Sequence, residues 1–336
     1  MNRNIQKSWD SLTELITNSK NILLSTHVNP DGDGLGSEIG FYYHLKSIDR
    51  KCRIINISPI PEIFKSLDPE NCIETYSTSH DQWLKKVDLT ILFDIGDYRR
   101  INEIYPQIKN SKIVLFDHHP LQKDNPYCLE VLDLGAPATG YMVWKYLKYL
   151  SNGMKDIDII SANALYAALI TDTGSFRYES THSDAHLMAA SLLDLGVKPY
   201  EIHKSIYEQR SLSQVKLMSN VIQSLEFAYE GKVAWFKVDS KMLDSANAKA
   251  EDIEGFTEYI RSIKNVEVAF MIQEIDSSRY RINFRSSGKY IINDIAQSFG
   301  GGGHIYAAGA KVDAESSINV QNEILKKLEK KITYGN

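Results

Sequence analysis

Five short, mostly apolar runs recur in the first 135 positions, without the strict alternation of polar and apolar residues that marks a half-exposed strand. These runs cover 21–28, 52–58, 89–96, 112–119 and 127–133. Patterns typical of amphipathic helices cover 35–48, 138–150, 157–171 and 183–195. Strands buried on both faces and separated by helices form parallel sheets. We therefore predict an α/β fold in which helices cover both faces of an N-terminal parallel sheet.

The pattern changes after residue 196. Residues 198–228 are mostly polar at helical spacing, which predicts one long helical connector. Three runs beyond it, at 232–239, 266–275 and 280–287, resemble antiparallel strands, and helical segments follow near 291–299 and 318–331. We therefore predict a parallel-sheet domain over 1–196, a helical linker over 197–229 and a smaller α+β domain over 230–336. The active site is expected in the cleft between the two domains.

Composition excludes several classes of protein. A net charge of −5 argues against a protein that coats long duplex nucleic acid through a broad basic face. Three cysteines without a CxxC pair indicate a reducing compartment and no disulfide framework. No run reaches the ~20 apolar residues that span a bilayer, and residues 1–20 have the spacing of an amphipathic helix, not of a signal peptide. We expect a soluble cytoplasmic protein without a membrane partner, and the sequence leaves a homodimer open.

Acids and histidines follow three of the predicted strands and end one helix. They are His27, Asp31 and Asp33 after the first run, Asp94 after the third, Asp117, His118 and His119 after the fourth, and Asp172 at the end of the helix over 157–171. Ligands of open α/β sheets bind in the crevice beyond the carboxyl ends of the strands. The fold therefore brings these side chains together, although they span about 145 positions.

Each of these residues alone has a structural explanation: an Asp-Gly pair is usually a turn, and Asp94 would serve as a helix cap. Those explanations do not predict the same placement four times. Clustered carboxylates repel one another, and no lysine or arginine is interleaved with the motifs, so the missing positive charge is a metal. Carboxylate and imidazole ligands without thiolate suit Mn²⁺, with Mg²⁺, Co²⁺ and Fe²⁺ as alternatives. Six candidate ligands indicate two ions that share a carboxylate, an arrangement that drives displacement at phosphorus.

Five motifs resemble a known family. THVNPDGDGLGS, LFDIGD, FDHHP and ITDTGSFRY are similar to the four ordered motifs of the DHH phosphoesterase superfamily. GGGGHIYAAG at 300–309 is similar to the signature of its DHHA1 domain, GGGHxxAAG. The resemblance covers both halves of the chain. Within the superfamily, the chain resembles the group of nanoRNases and pAp phosphatases. It implies a Mn²⁺-dependent hydrolase that converts short oligoribonucleotides, pApA and pAp to mononucleotides.

The resemblance also assigns metal ligands. His27 and Asp31 match ligands of a first ion, and Asp33 matches a ligand of a second. Asp94 is at the position of the bridging carboxylate, and His118 and Asp172 complete the second set. Asp117 would orient an imidazole, and His119 would lie near the reacting phosphate, either as general acid or as a stabiliser of phosphoryl oxygens.

Substrate contacts are expected in both domains. Arg99 resembles a phosphate contact of the family, with Arg100 as the rival choice. Arg285, beside Ser286, resembles its phosphate-gripping arginine. Glycines let backbone N–H groups approach an anion closely, so Gly301, Gly302 and Gly303, with His304, are expected to hold the rest of the substrate.

Four other functions are weighed against this one. A phosphodiesterase that acts first on cyclic di-AMP would use the same metals, but its substrate has no terminal phosphate for Arg285 and His304. A non-catalytic nucleotide sensor would not need two water-activating ions. A processive exonuclease of the larger RecJ type would need a long basic channel, and family pyrophosphatases carry a different second domain.

Overall fold

The computed structural model describes residues 3–121, 124–151 and 157–334. The chain divides between Gln209 and Arg210 into two compact units. Each unit has its own six-stranded sheet and its own buried apolar residues. Within the described ranges, no helix combines the length and the apolar character that crossing a bilayer requires.

The described residues of the first unit form six strands and seven α-helices. Its strands are β1 (Ile22–Ser25), β2 (Cys52–Asn56), β3 (Ile73–Thr75), β4 (Leu89–Phe93), β5 (Lys112–Asp117) and β6 (Tyr127–Leu132). Its helices are α1 (Arg3–Asn18), α2 (Gly32–Ser47), α3 (Asp81–Leu84), α4 (Thr139–Leu150), α5 (Ile159–Asp172), α6 (Ser183–Asp194) and α7 (Pro199–Tyr207). The sequence did not predict β3, which has only three residues and is partly exposed.

The first sheet confirms the α/β prediction. Its strand order is β3-β2-β1-β4-β5-β6, and every neighbouring pair is parallel. The chain builds outward from β1 on one side and from β4 on the other. This reversal leaves a crevice at the carboxyl ends of β1 and β4, where open α/β sheets bind ligands.

The two faces of this sheet are covered differently. Ile22 and Leu24 of β1 point into a core with residues of α1, α2, α4 and α5. Leu23, between them, points into a second core with Ile101 and Ile104. Those two residues belong to a segment of 3₁₀ turns at Tyr98–Gln107. Most of the helices therefore pack on one face, and α3 and the 3₁₀ turns cover the other.

Helix α2 packs unusually closely on α5, through glycines. A Cβ atom at Gly36 would lie 2.3 Å from the carbonyl oxygen of Ala164, and one at Gly40 would lie 2.8 Å from the side chain of Leu165. Only glycine permits this separation of the two backbones. The helix begins at Gly32, three residues before the predicted start at 35, so DGDG forms its first turn and is not a separate loop.

The second unit also contains a six-stranded sheet. Its strands are β7 (Glu226–Ala228), β8 (Val233–Val238), β9 (Val268–Glu274), β10 (Arg279–Ser286), β11 (Gly302–His304) and β12 (Ala307–Asp313). Its helices are α8 (Leu212–Gln223), α9 (Ser240–Ala246), α10 (Phe256–Arg261), α11 (Asn293–Ser298) and α12 (Ser317–Tyr334). Val233 and Trp235 of β8 face a core with α11 and α12. Ala234 and Phe236 face a core with α8, α9 and α10.

Two predictions for this half were wrong in detail. Strands β8 and β9 are parallel, whereas β9 and β10 are antiparallel as predicted. The pairs β7–β8, β10–β12 and β11–β12, for which the sequence made no prediction, are antiparallel. The α9–α10 segment between β8 and β9 makes the crossover that a parallel pair needs. The single long helix predicted over 198–228 is instead α7, α8 and β7. Ile202 and Ile206 of α7 join the core of the first unit, whereas Leu217 and Val221 of α8 join that of the second.

Candidate metal centre

The loop after β1 supplies the first two candidate ligands. Nδ1 of His27 lies 2.9 Å from the carbonyl oxygen of Val28. A carbonyl only accepts hydrogen bonds, so Nδ1 carries the proton and Nε2 keeps its lone pair. This Nε2 lies 3.8 Å from Oδ2 of Asp31 and 3.9 Å from Oδ2 of Asp94. Asp31 also caps the N-terminus of α2.

His118, at the end of β5, is oriented in the same way. Its Nδ1 donates to the carbonyl oxygen of Ala136 at 2.9 Å. Its Nε2 lies 3.5 Å from Oδ2 of Asp172, 3.6 Å from Oδ1 of Asp94 and 3.9 Å from Oδ2 of Asp33. This Nε2 is buried and has no hydrogen-bond partner among the described residues. A buried lone pair that faces three carboxylates is well suited to bind a cation.

The candidate ligands form two groups of three. The first group is His27, Asp31 and Asp94, and the second is Asp33, His118 and Asp172; within each, the ligand atoms lie within 4.8 Å of one another. Asp94 directs Oδ2 toward His27 and Oδ1 toward His118, so its carboxylate spans both groups. Separations of 3.5–3.9 Å exceed hydrogen-bond length. Adjacent ligand atoms of one octahedral ion with bonds of ~2.0–2.1 Å lie ~2.9 Å apart, so a bound ion would draw these atoms slightly closer together.

The electrostatics of this cluster also fit bound cations. Burial raises the pKa of Asp33 well above its ordinary value, and the charges of Asp94, Asp172 and Asp31 raise it further. Burial raises the pKa of Asp172 to about 6, with a smaller opposing effect from His118. The ion pairs of Asp33, Asp94 and Asp172 with described residues are all with histidines. Divalent cations would stabilise the ionised carboxylates that repel one another here.

Asp94 and Asp117 shape the loop after β4. Asp94 has φ of +53°, a left-handed conformation that costs a non-glycine residue about 1–3 kcal/mol and is typical of functional sites. Oδ2 of Asp117 accepts the backbone N–H groups of Ile95 at 2.9 Å and Gly96 at 2.6 Å. Burial opposes ionisation of Asp117, but hydrogen bonds from His119 and from backbone N–H groups outweigh it and lower its pKa. Asp117 therefore fixes the loop that carries Asp94.

His119 adjoins the two groups. Its Nδ1 lies 2.9 Å from Oδ1 of Asp117 and 3.3 Å from Oδ1 of Asp94. Hydrogen bonds to Asp117 and Asp94 raise its pKa to about 11. The imidazole that Asp117 orients is thus that of His119, whereas the Ala136 carbonyl orients His118. The ring is one-third exposed, so a ligand in solvent can reach it.

The two arginines that follow β4 bond to residues other than the six candidate ligands. Arg99 is 67% exposed and forms its ion pair with Asp97, at 2.6 Å. Arg100 donates from Nη1 to the carbonyl oxygen of Ile95 at 3.1 Å. Its own carbonyl oxygen accepts the N–H of Val28, beside His27. Arg100, the alternative phosphate contact, therefore hydrogen-bonds to the loops that carry His27 and Asp94. Arg99 as a phosphate contact stays a prediction.

In the second unit, Arg285 and His304 lie in one row across the sheet. Each pairs with Ala307 of β12, Arg285 from β10 and His304 from β11. Paired residues share a face of a sheet, and two strand spacings are about 10 Å. Arg285 forms an ion pair with Glu258 of α10. The N–H of Ser286, the next residue, donates to the carbonyl oxygen of Tyr306 at 2.9 Å.

The glycine run has a packing role in addition to the predicted one. A Cβ atom at Gly301 would lie 2.1 Å from the carbonyl oxygen of Gly309, and one at Gly303 would lie 2.5 Å from that of Ala307. These two glycines let β11 approach β12. A Cβ atom at Gly302 would meet nothing within 4 Å, so its surroundings are open.

Sequence reasoning missed Thr139 and Gly140, at the start of α4. The N–H of Thr139 donates to Oδ2 of Asp33 at 2.6 Å, and that of Gly140 donates to Oδ1 at 2.8 Å. The hydroxyl of Thr139 donates to Oδ1 of Asp94 at 3.2 Å. The available signal was a Thr-Gly pair opening a helical pattern shortly after an acidic strand end, but helix starts of this kind are common.

Comparisons with known proteins identify two family domains in this chain. Residues 21–171 match the DHH family, N-terminal domain, and residues 230–333 match the DHHA1 domain. The chain is 27% identical to the bifunctional oligoribonuclease and PAP phosphatase NrnA of Thermus thermophilus, over 93% of this chain and 90% of that protein. An exopolyphosphatase-related protein from Bacteroides fragilis has the same fold, with a TM-score of 0.90 and 25% identity over 98% of this chain and 97% of that one.

A more distant structure shares the fold alone. RecJ of Thermus thermophilus, in complex with Mn²⁺, has a TM-score of 0.56 and 13% identity, over 97% of this chain and 54% of RecJ. The two matched domains occur in the order that the five sequence motifs predict. The chain therefore belongs to the DHH family of phosphoesterases, as a hydrolase in which a DHHA1 domain follows the DHH domain.

Proposed function

We propose that this phosphoesterase uses two divalent ions, preferentially Mn²⁺, to hydrolyse short oligoribonucleotides, pApA and pAp to mononucleotides. The two groups of candidate ligands, with the Asp94 carboxylate directed at both, carry the proposal. The substrate class follows the activity for which the Thermus thermophilus relative is named, and this chain matches that relative over most of its length. The oxygen and imidazole ligand set favours Mn²⁺ over ions that prefer thiolate.

The residues of the centre have distinct roles in this proposal. His27, Asp31 and Asp94 would hold one ion, and Asp33, His118 and Asp172 would hold the other, with Asp94 common to both. When bound, the ions supply a hydroxide from water and neutralise charge on phosphoryl oxygens. The Val28 and Ala136 carbonyls keep the protons of His27 and His118 on Nδ1, so that each Nε2 lone pair faces the ion.

His119 and the second unit act on the substrate. Asp117 accepts a hydrogen bond from Nδ1 of His119 and so orients its ring, and the imidazole would donate to a phosphoryl oxygen or to the leaving alkoxide. Arg285 and His304, on strands two spacings (about 10 Å) apart and on one sheet face, suit two groups of one small nucleotide, such as a terminal phosphate and a base. Ser286, Gly302 and the backbone around Gly301 and Gly303 would complete this subsite.

The test is a time course of hydrolysis with Mn²⁺, followed by HPLC, on pAp, pApA, cyclic di-AMP and RNA of two to seven nucleotides. The wild type is expected to convert pApA and the shortest RNAs fastest. Cyclic di-AMP has no terminal phosphate for Arg285 to bind and is expected to react more slowly. Faster turnover of cyclic di-AMP would instead establish a cyclic dinucleotide phosphodiesterase, and no turnover of any compound would contradict the proposal.

The matched variants are Asp94→Asn and Asp49→Asn. Asp94→Asn removes the shared ligand charge and is expected to reduce turnover by more than about 100-fold, beyond the usual effect of outer-shell partners. Asp49 is an exposed residue with φ of +54°, nearly that of Asp94. Asp49→Asn therefore makes the same side-chain change at a similar backbone conformation, outside the candidate metal centre. It is expected to leave turnover unchanged.

A further inference from the structure

The N-terminus of α4 binds the carboxylate of Asp33 with two consecutive backbone N–H groups. Both oxygens of Asp33 are engaged, one by Thr139 and the other by Gly140. The N-cap residue of this helix, Ala138, has no side chain that could cap it. A carboxylate more than 100 residues earlier in the chain therefore does the work of a local cap.

Thr139 also links this contact to the shared ligand. Its N–H binds Asp33, a candidate ligand of one ion, and its hydroxyl binds Asp94, which faces both. We propose that Thr139 and Gly140 are positioning residues, which hold the Asp33 and Asp94 carboxylates in the orientation that binds the two ions. This inference rests on the proposed metal centre and adds to it the part of the chain that sets the affinity of that centre.

The positive end of α4 explains why a backbone contact is used here. A helix of 12 residues has a partial positive charge at its N-terminus, and backbone N–H groups satisfy carboxylate lone pairs without a competing side-chain cation. A lysine or arginine at this point would compete with the metal for the same oxygens. The helix terminus instead lowers the repulsion among the acids and leaves their remaining lone pairs for the ions.

The reach of these N–H groups depends on close packing between α4 and α5. A Cβ atom at Gly140 would lie 2.5 Å from Cβ of Ala168 and 3.4 Å from Oδ1 of Asp33. Ala168 lies one helical turn before Asp172, another candidate ligand. Any side chain at 140 must therefore push α4 away from α5, and with it the two N–H groups from Asp33.

The first test measures Mn²⁺ binding to the full-length protein by titration calorimetry. Thr139→Val keeps the shape and the N–H but removes the hydroxyl, and is expected to weaken Mn²⁺ binding by about 10- to 100-fold. Thr139→Ser keeps the hydroxyl and is expected to bind like the wild type. The control is Thr17→Val, on α1, where the hydroxyl donates to the Thr13 carbonyl oxygen of the same helix.

The second test uses the steric contact. Gly140→Ala is expected to weaken Mn²⁺ binding more than Thr139→Val does, because both N–H groups are displaced. The double variant Gly140→Ala/Ala168→Gly removes the obstructing Cβ and is expected to recover most of the affinity, with Ala168→Gly alone as the control for the new glycine. Melting of the metal-free proteins separates a general loss of stability from a loss of metal affinity.

The outcomes are distinct. If the wild type binds Mn²⁺ and the folded Thr139→Val and Gly140→Ala variants bind it equally well, the positioning role is wrong and the proposed function stands. If the double variant is folded but binds as weakly as Gly140→Ala, the steric part of the inference is wrong. If the wild type binds no Mn²⁺, the metal centre is wrong, and this inference with it.

Discussion

Asp94 and Arg285 show what single residues would contribute to the proposed function. Asp94 is buried, directs its two oxygens at different histidines and occupies a left-handed conformation. Arg285 is partly exposed, and its Nη1 donates to Oδ1 of Asn283 and to the Phe284 carbonyl oxygen, both at 2.9 Å. Glu258 engages its Nε, so the guanidinium is already held in one orientation. Such preorganisation reduces the entropy lost when an arginine binds a phosphate.

We therefore expect Arg285→Ala to raise KM for pAp and pApA by about 10- to 100-fold, with a smaller change in kcat. The estimate corresponds to the ~1.5–3 kcal/mol of a hydrogen bond to a charged group. Steady-state kinetics with Mn²⁺ measure it. Arg279→Ala, which removes an arginine from the other end of β10 that is paired with Asp276, is the matched control. Equal effects of the two variants would mean that Arg285 contributes surface charge only.

At the scale of elements, small residues on α2, α4 and α5 determine where the ligands lie. Gly36 of α2 and Gly140 of α4 both approach Ala168 of α5. The three helices can then converge at the ends that carry Asp33, Thr139 and Asp172. The sequence assigned no role to these two glycines, because their role depends on which helix lies opposite, and periodicity within one helix does not contain that information.

Gly36→Ala is expected to destabilise the first unit by at least about 2 kcal/mol. The new Cβ atom would lie 2.3 Å from a backbone carbonyl oxygen, which cannot rotate away as a side chain can, so the helices must separate. Chemical denaturation without metal measures the change. At Gly135 a Cβ atom would make only an ordinary contact, at 3.6 Å from Asp133, so Gly135→Ala should stay near the wild-type value. A stable Gly36→Ala protein would show that α2 and α5 have room to adjust.

At the scale of the whole molecule, the six candidate ligands all belong to the first unit, and Arg285 and His304 belong to the second.

The sequence predicted the order of the strands and helices well wherever apolar runs were continuous. It failed where pairing decided the outcome. Nothing local distinguishes the parallel β8–β9 pair from an antiparallel one, and the polar break between α7 and α8 does not show which core each helix joins. The ligand candidates were visible because strand ends converge in any parallel sheet, whereas Thr139 and Gly140 act through backbone atoms that carry no residue-specific signal.

Because the six candidate ligands all belong to the first unit, we expect Mn²⁺ to stabilise the first unit more than the second. Mn²⁺ at 100 times its dissociation constant increases the stability of the folded state that binds it by about 2.7 kcal/mol. Hydrogen exchange followed by mass spectrometry should therefore show increased protection in α2, α4 and α5, and little change in β8, β9 and β10. Protection that rises equally in both sheets would contradict a centre built by the first unit alone. The Asp94→Asn variant, under the same conditions, is the control for effects of Mn²⁺ elsewhere.

The sheet order also has a consequence for synthesis on the ribosome. β1 lies beside β4, and the last candidate ligand, Asp172, follows the first, His27, by about 145 residues. At about 5–20 residues per second, His27 leaves the ribosome roughly 7–30 s before Asp172 does. During that interval the nascent chain exposes a partial set of acids with an incomplete hold on any ion. The proposed centre could therefore close only after α5 has been translated, and metal loading would be a late event in the production of this enzyme.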